Sequence, residues 1–349
     1  MRIVVIGATG NTGTALLRAV AGRSSVTHVD AISRRGPGRL PAPAGFAHVT
    51  HHTLDASAPA GTSDAERLAQ LAAGADAVVH LAWSNARSAS TATAANVALT
   101  RGVLRAAAHA KQLVLASCAS VYSASYSSQP RDETWATAGI TDVSLSQDKV
   151  GLERMADEFE RRYPAVVVTR IRSGVVLQEA AGAELVRRYV GPLMPRVGLG
   201  KRVPLLLWPE GLRLQVAHAD DVAAANLAAI ERRAPGAYNV ASPDVLDAEA
   251  VATAIGAQRT VTISPTLARA GHEAAWWTHL VRARPEWLTA LSAAPVLDVT
   301  RARDLLGVIP THTGLDTLTS AARGVAQRRE GWTPALSRSR EPAPETTKD

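Results

Sequence analysis

The chain has one cysteine, Cys118, in 349 residues, which excludes an internal disulfide and a cysteine-based zinc site. Phenylalanine and tyrosine number only two and five, too few for an aromatic platform on which nucleic-acid bases stack. No run approaches the roughly 18 consecutive apolar residues that a membrane-spanning helix needs. Blocks of like charge are also missing: the arginines lie scattered among acids, as in RRGPGR, ERRYP and VRRY. The net charge of +7 and pI near 10.0 therefore read as a solvated arginine-rich surface, not a nucleic-acid face. The opening MRIVVIGATG lacks the basic stretch, apolar region and cleavage site of a signal peptide. These absences point to a soluble, cytoplasmic protein acting on a small molecule, with neither nucleic acid nor membrane as partner, and no residue set for a metal.

What is present is enough apolar material, 46% of residues, to bury a large core. Apolar runs at 2–6, 26–33, 47–54, 77–82, 113–117 and 165–171 read as strands. Helical patterns at 11–21, 64–73, 92–110 and 145–163 fall between them. Alternation of this kind implies right-handed crossovers and a doubly wound parallel α/β sheet covered on both faces. Past residue 174 the pattern loosens. Prolines at 192, 195, 204 and 209 break it, and Trp208, Trp276, Trp277 and Trp287 follow. We expect a first domain over 1–174, with segments around 215–242 returning to it, and a smaller substrate-binding region over 175–325. The polar, proline-rich stretch 330–349 is expected to be a disordered tail.

The first strand runs into Gly7-Ala-Thr-Gly-Asn-Thr-Gly13 and then directly into a helix. In that context one glycine permits a tight turn, one lets backbone approach a pyrophosphate, and one packs helix on strand. The helix amino terminus supplies free amides and positive potential. Gly7, Thr9, Gly10, Asn11, Thr12 and Gly13 are therefore candidate cofactor residues. An acid ending the second strand would hold the ribose hydroxyls of NAD, but the chain reads Ser33-Arg34-Arg35 there. A hydroxyl and two guanidiniums suit a 2′-phosphate, so NADP is expected, with NAD as the alternative. Asp30 lies three residues earlier, within the strand. Asp55, ending the third strand, is placed either to receive the adenine amino group or to cap the strand.

An ordered series of motifs resembles the extended short-chain dehydrogenase/reductase family, the NAD-dependent epimerase/dehydratase group. The series comprises GATGNTG at 7–13, VVHLAW at 78–83, NVALTRGVLRAA at 96–107, SCASVYS at 117–123 and DKVGLE at 148–153. It continues with VAHADDVAAA at 216–225, GAYNVAS at 236–242 and TRARDLLG at 300–307. The resemblance implies a Rossmann-type sheet with a smaller carboxy-terminal substrate domain and a nicotinamide dinucleotide between them. It adds Leu81 and Ala82 to the cofactor residues and makes His80 structural. It places His218, Asp220 and Asp221 at the join of the domains. It also implies a family habit of dimerising through the two long helices, which leaves a homodimer open here.

The same resemblance implies a catalytic tyrosine and lysine spaced YxxxK, with a serine at the end of the fifth strand. Lys149 matches the lysine, which in the family hydrogen-bonds the nicotinamide ribose. The tyrosine position is Leu145 and the serine position Cys118, so two of three groups depart from the pattern. Arg172 and Ser173 stand where the family has an Arg-Pro-Gly turn. Three readings stay open. A redox enzyme could take its proton-transfer group from elsewhere, Tyr122 or Tyr126 being near in sequence. A lyase, isomerase or cyclase could retain the dinucleotide and use Cys118 or Tyr122, since a thiol beside an ammonium is acidified. Or the fold could act as a dinucleotide sensor or scaffold without turnover. His272, Trp276, Trp277 and His279 are spaced either to line an apolar pocket or to pack as one helix face.

Overall fold

The structure, a computed structural model, describes residues 1–37, 45–46, 48–86, 88–189 and 203–337. Residue 47 of the third expected strand, prolines 192 and 195, and residues 338–349 of the expected tail lie outside that set. The chain begins with β1 (Arg2–Ile6), α1 (Asn11–Val20), β2 (His28–Ser33) and β3 (Val49–Thr53). It continues through α2 (Ser63–Ala72), β4 (Ala77–His80), α3 (Ala89–Ala107), β5 (Gln112–Cys118), α4 (Ser144–Arg162) and β6 (Val167–Ser173). Arg172 and Ser173 thus belong to a strand, with Ser173 in register with Cys118, and not to a turn.

Alternate side chains of β1 serve opposite faces of the sheet. Ile3 and Val5 pack with Leu16, Leu17 and Val20 of α1, whereas Val4 and Ile6 pack with α2, α3 and α4 through Leu68, Val103 and Leu152. Both faces are covered, which is why these strands read as unbroken apolar runs.

Three short strands and two helices follow: β7 (Val175–Leu177), α5 (Gly182–Tyr189), β8 (Leu206–Pro209), β9 (Val216–His218) and α6 (Ala219–Arg232). β10 (Gly236–Val240) then adds to the main sheet beside β6. The remainder is α7 (Ala248–Ile255), β11 (Thr260–Ile263), α8 (Pro265–Trp277), α9 (Glu286–Ala293), α10 (Thr300–Leu306) and α11 (Gly314–Gln327). The parallel seven-stranded sheet has the order β10-β6-β5-β4-β1-β2-β3. Two parallel pairs, β7 with β9 and β8 with β11, stand apart from it. A third apolar cluster, with Trp208, Leu212, Leu246 and Ala321, builds the smaller region.

The chain moves outward from β1 through β2 to β3, then crosses back to β4 on the other side of β1. That reversal opens a crevice at the carboxyl ends of β1 and β4, the place where open α/β sheets take ligands. No helix among the described residues is long and apolar enough to cross a membrane.

The expectation of a disordered tail from residue 330 is corrected over 331–337. Trp332 packs on the α1 side of the core and Leu336 is buried. A tryptophan and a leucine, separated by a turn, provide enough apolar surface to dock a short segment that its polar composition alone would leave in solvent.

Candidate functional site

The glycine loop lies in that crevice. Gly7 has φ +90°, and a Cβ there would sit 2.5 Å from the Ala82 nitrogen at the mouth of β4. A Cβ on Gly13 would come within 2.3 Å of the Gly7 carbonyl oxygen. Neither position tolerates a side chain, so β1, β4 and α1 converge closely. Gly7 and Ala8 amides donate to Ile32 O at 2.9 and 3.2 Å, tying the loop to β2. At the start of α1 no side chain caps the helix, and its first turn holds no acid. This arrangement fits a dinucleotide pyrophosphate: backbone can approach closely and no acid in the helix's own first turn competes for its terminus. The Asn11 side chain is engaged elsewhere, donating to Val176 O at 3.0 Å and accepting from Gln178 at 2.6 Å.

Ser33 ends β2 with its hydroxyl 3.4 Å from Gly36 O, Arg34 is exposed and Arg35 half-buried beside it. Burial works to raise the Asp55 carboxyl, but hydrogen bonds from Ser57 and the charge of Arg34 hold it below its usual range. Asp55 Oδ1 accepts from the Ser57 amide at 2.9 Å and its hydroxyl at 2.6 Å, a cap of the turn after β3. Asp30 is buried and committed to His52 Nε2 at 2.8 Å and His28 Nε2 at 3.3 Å. It offers nothing to a ribose.

Lys149 projects from the second turn of α4 toward the end of β5. Its ammonium donates to Ala116 O at 2.8 Å and lies 3.7 Å over the Trp83 ring, a cation–π contact. Burial lowers its pKa, against the opposing pull of Cys118, Glu153 and Asp148. Cys118 Sγ lies 2.9 Å from Ser120 Oγ. Asp148 receives Thr93 Oγ1 at 2.7 Å and Asn96 Nδ2 at 3.4 Å, which fixes α4 against α3. Leu145 turns to Ile140, Val143, Ala290 and Ala293, so an apolar side chain contacts α9 where the resemblance would put a phenol.

Tyr122 does not supply the missing phenol. It is 0% exposed, donates to Asn239 Oδ1 at 2.7 Å and receives Arg172 Nη1 at 3.0 Å. Burial pushes its pKa up to about 12 despite the nearby guanidinium. Arg172 is itself held by Glu153 at 2.6 Å. The hydroxyl is therefore a tie in a buried network and not a group for exchanging protons with a substrate. Tyr126 is 71% exposed. His80 is buried with Nε2 3.4 Å from Thr100 Oγ1, and burial beside Lys149 lowers its pKa to about 3.

His218 caps α6 by accepting from the Asp220 amide at 3.2 Å and stacks on His312 with centroids 3.7 Å apart. Asp221 anchors the Thr311 amide and hydroxyl at 2.9 and 2.7 Å. In the His272–His279 segment Trp277 is 74% exposed, and His279 lies beyond the end of α8 with φ +60°. A cavity of about 480 Å³ lies on another side of α4, lined by Glu153, Asp157, Arg170 and Arg172. Those four charges pair with one another across its wall. Among the described residues no cluster of three or more His, Cys, Asp or Glu is arranged to hold a metal. The Trp83 contact, the Arg172–Glu153 pair and a clasp on Thr9 by Thr333 were not among the sequence expectations; VVHLAW had pointed to Trp83 without giving it a role.

Comparison with known proteins agrees with this fold. No curated protein sequence matches the chain. Among solved structures, UDP-N-acetylglucosamine 4-epimerase from Bacillus cereus superposes with TM-score 0.63 at 16% identity, covering 95% of this chain and 100% of that one. UDP-glucuronic acid 4-epimerase from Bacillus cereus, in complex with UDP-glucuronic acid and NAD, gives TM-score 0.63 at 18% identity over 94% and 100%. UDP-glucose 4-epimerase from Thermus thermophilus, in complex with NAD, gives 0.65 at 18% over 93% and 99%. At these identities the likeness is one of fold. The family model described as NAD dependent epimerase/dehydratase family matches residues 3–241, well over half the chain, and the chain belongs to that family.

Proposed function

We propose that the chain is a dinucleotide-dependent enzyme of this family that acts on a small organic molecule with a proton-handling group other than tyrosine. The observation that carries the reading is the pairing of an intact cofactor cradle and buried Lys149 with a leucine at 145. Gly7 to Gly13 would hold the pyrophosphate, Leu81 and Ala82 would border it, and Lys149 would turn from Ala116 O to the nicotinamide ribose. Ser33, Arg34 and Arg35 favour a 2′-phosphate over a bare ribose, so NADP is the preferred cofactor. That preference differs from the NAD named with the solved relatives above, and a comparison of NADP⁺ and NAD⁺ dissociation constants tests it.

When bound, the nicotinamide supplies or accepts hydride. Cys118, whose charge acts on Lys149, lies within hydrogen-bond distance of Ser120, and we assign this pair to the substrate oxygen. Leu145 packs on the alanines of α9, so the position of the family's phenol is apolar, which suits a substrate less polar than a nucleotide sugar. A second reading keeps the dinucleotide but no net redox change, with the Cys118 thiol as base for elimination, isomerisation or cyclisation.

One assay separates these. Turnover of carbonyl or alcohol substrates accompanied by a change in nicotinamide absorbance supports the redox reading. Product without that change, lost in Cys118→Ala, supports the second. Tight NADP⁺ binding with no turnover of any tested substrate would reject both and leave a dinucleotide sensor.

A further inference from the structure

We infer that residues 331–337 form a strap that positions the phosphate-binding loop, with Thr333 setting how tightly the chain holds a dinucleotide. The proposal rests on the dinucleotide reading above. After α11 the chain turns at Arg328, whose φ is +49°, and Arg329 O receives the Ala183 amide at 2.9 Å. Trp332 then sets its ring edge-on to Phe46 and His51, with centroids 5.6 and 5.9 Å away, against the α1 side of β3. Gly331 abuts Leu336 so closely that a Cβ on the glycine would lie 2.6 Å from the leucine Cβ. Arg187 of α5 holds the far end, donating to Ser337 O at 2.5 Å and to Ala335 O.

Between these anchors Thr333 Oγ1 donates to Thr9 O at 2.7 Å, a bond spanning 324 residues of sequence. Both residues are buried, Thr333 at 1% exposure and Thr9 at 7%. Gly7 O receives the Gly10 amide at 3.0 Å and Gly10 O the Thr14 amide at 2.9 Å, while Asn11 O receives Gln178 Nε2 at 2.9 Å from the segment after β7. Thr9 O is held from the opposite end of the chain. A peptide unit is planar, so the Thr9 carbonyl and the Gly10 N–H turn as one, and Thr333 on the carbonyl and Gly7 O on the N–H hold that unit from its two sides. The amides of Asn11, Thr12 and Gly13 that open α1 come directly after it in the chain. Without the Thr333 hydroxyl a buried carbonyl loses its partner, and the peptide has reason to rotate toward another. The loop would then present its amides in several orientations instead of one. Binding would first have to reorder them, which weakens affinity without changing any group that touches the ligand.

The test measures NADP⁺ and NAD⁺ dissociation constants, and amide hydrogen exchange over residues 7–14 without ligand. The proteins compared are the full chain, Thr333→Val, Thr333→Ser, and chains ending at residue 337 or 330. We expect Thr333→Val and the chain ending at 330 to bind about tenfold more weakly and to exchange faster across the loop. Thr333→Ser, which keeps the hydroxyl, and the chain ending at 337 should match the full chain in both measurements. Unchanged affinity and unchanged loop exchange in Thr333→Val would overturn the strap. So would a loss in Thr333→Ser as large as in Thr333→Val, because that traces the effect to packing. If the full chain binds neither dinucleotide, the cofactor reading fails, while loop exchange in the ligand-free protein still decides whether Thr333 orders the loop.

Discussion

Leu145 rests on the alanines of α9, and four residues on, the Lys149 ammonium is shared between Ala116 O and the Trp83 ring. Restoring a phenol by Leu145→Tyr should raise any nicotinamide-linked turnover by about 10²-fold, the usual contribution of one positioned acid–base group. It should also cost about 1–3 kcal/mol of stability, because a larger side chain must fit against α9. A variant that folds, binds cofactor and shows no gain would mean that more of the site than one hydroxyl has diverged. Tyr122 makes the contrasting case. Phenylalanine there removes the donor to Asn239 Oδ1 and the acceptor for Arg172, leaving two buried polar groups short of a partner. Water cannot replace either bond at a fully buried site, and we expect a loss of about 1–3 kcal/mol in urea unfolding with cofactor affinity unchanged. In the sequence the SVY run was plain but its use was not. Whether that tyrosine faces a cleft or a core depends on Arg172 and Asn239, 50 and 117 residues away.

The elements themselves were largely legible. Apolar runs marked inner strands such as β1 and β4, because a sheet covered on both faces leaves no polar side to alternate with, whereas β10, GAYNV at the edge beside β6, was not read as a strand. Helix ends were less so, and α4 shows why. Its N-cap is Val143, which makes no side-chain cap, and no acid lies in its first turn. The cap arrives from α9 instead: Glu286 accepts from the Ser144 amide at 3.0 Å and its hydroxyl at 2.8 Å. A carboxylate at that terminus also meets the positive end of the helix. Glu286→Ala should therefore destabilise the protein by about 0.5–2 kcal/mol, and Glu286→Gln by less, read from the midpoint of urea unfolding. Equal midpoints for all three proteins would show that α4 needs no partner at its start. The strap at 331–337 was hidden for a related reason. Polar composition marks a segment as free only when no distant surface awaits it, and Phe46 and His51 form such a surface for Trp332.

At the scale of the whole molecule, one buried histidine and two partly buried ones give the fold an acid-sensitive side. Burial, assisted by Lys149, lowers the His80 pKa from 6.5 to about 3. Burial likewise lowers His51, with His52 adding to it, and His218, with His312 adding to it. Each binds a proton more weakly folded than unfolded. Above pH 6.5 both states are neutral at His80 and the difference costs nothing; below it the unfolded chain takes up a proton that the folded one refuses. His80 alone should then remove about 1.4 kcal/mol of stability per pH unit between its unfolded and folded values. Glu133, raised by burial, works the other way, since its protonation favours the fold as pH falls. It is one group against three, so stability should fall as pH drops below neutrality. Denaturant unfolding at pH 7.5, 6.5, 5.5 and 5.0 measures it, and a free energy that stays level across that range would refute it. His80→Gln supplies the matched control. It should lower stability at pH 7.5, where the imidazole fills its space well, yet give the shallower acid limb, because a carboxamide has no proton to take up on unfolding.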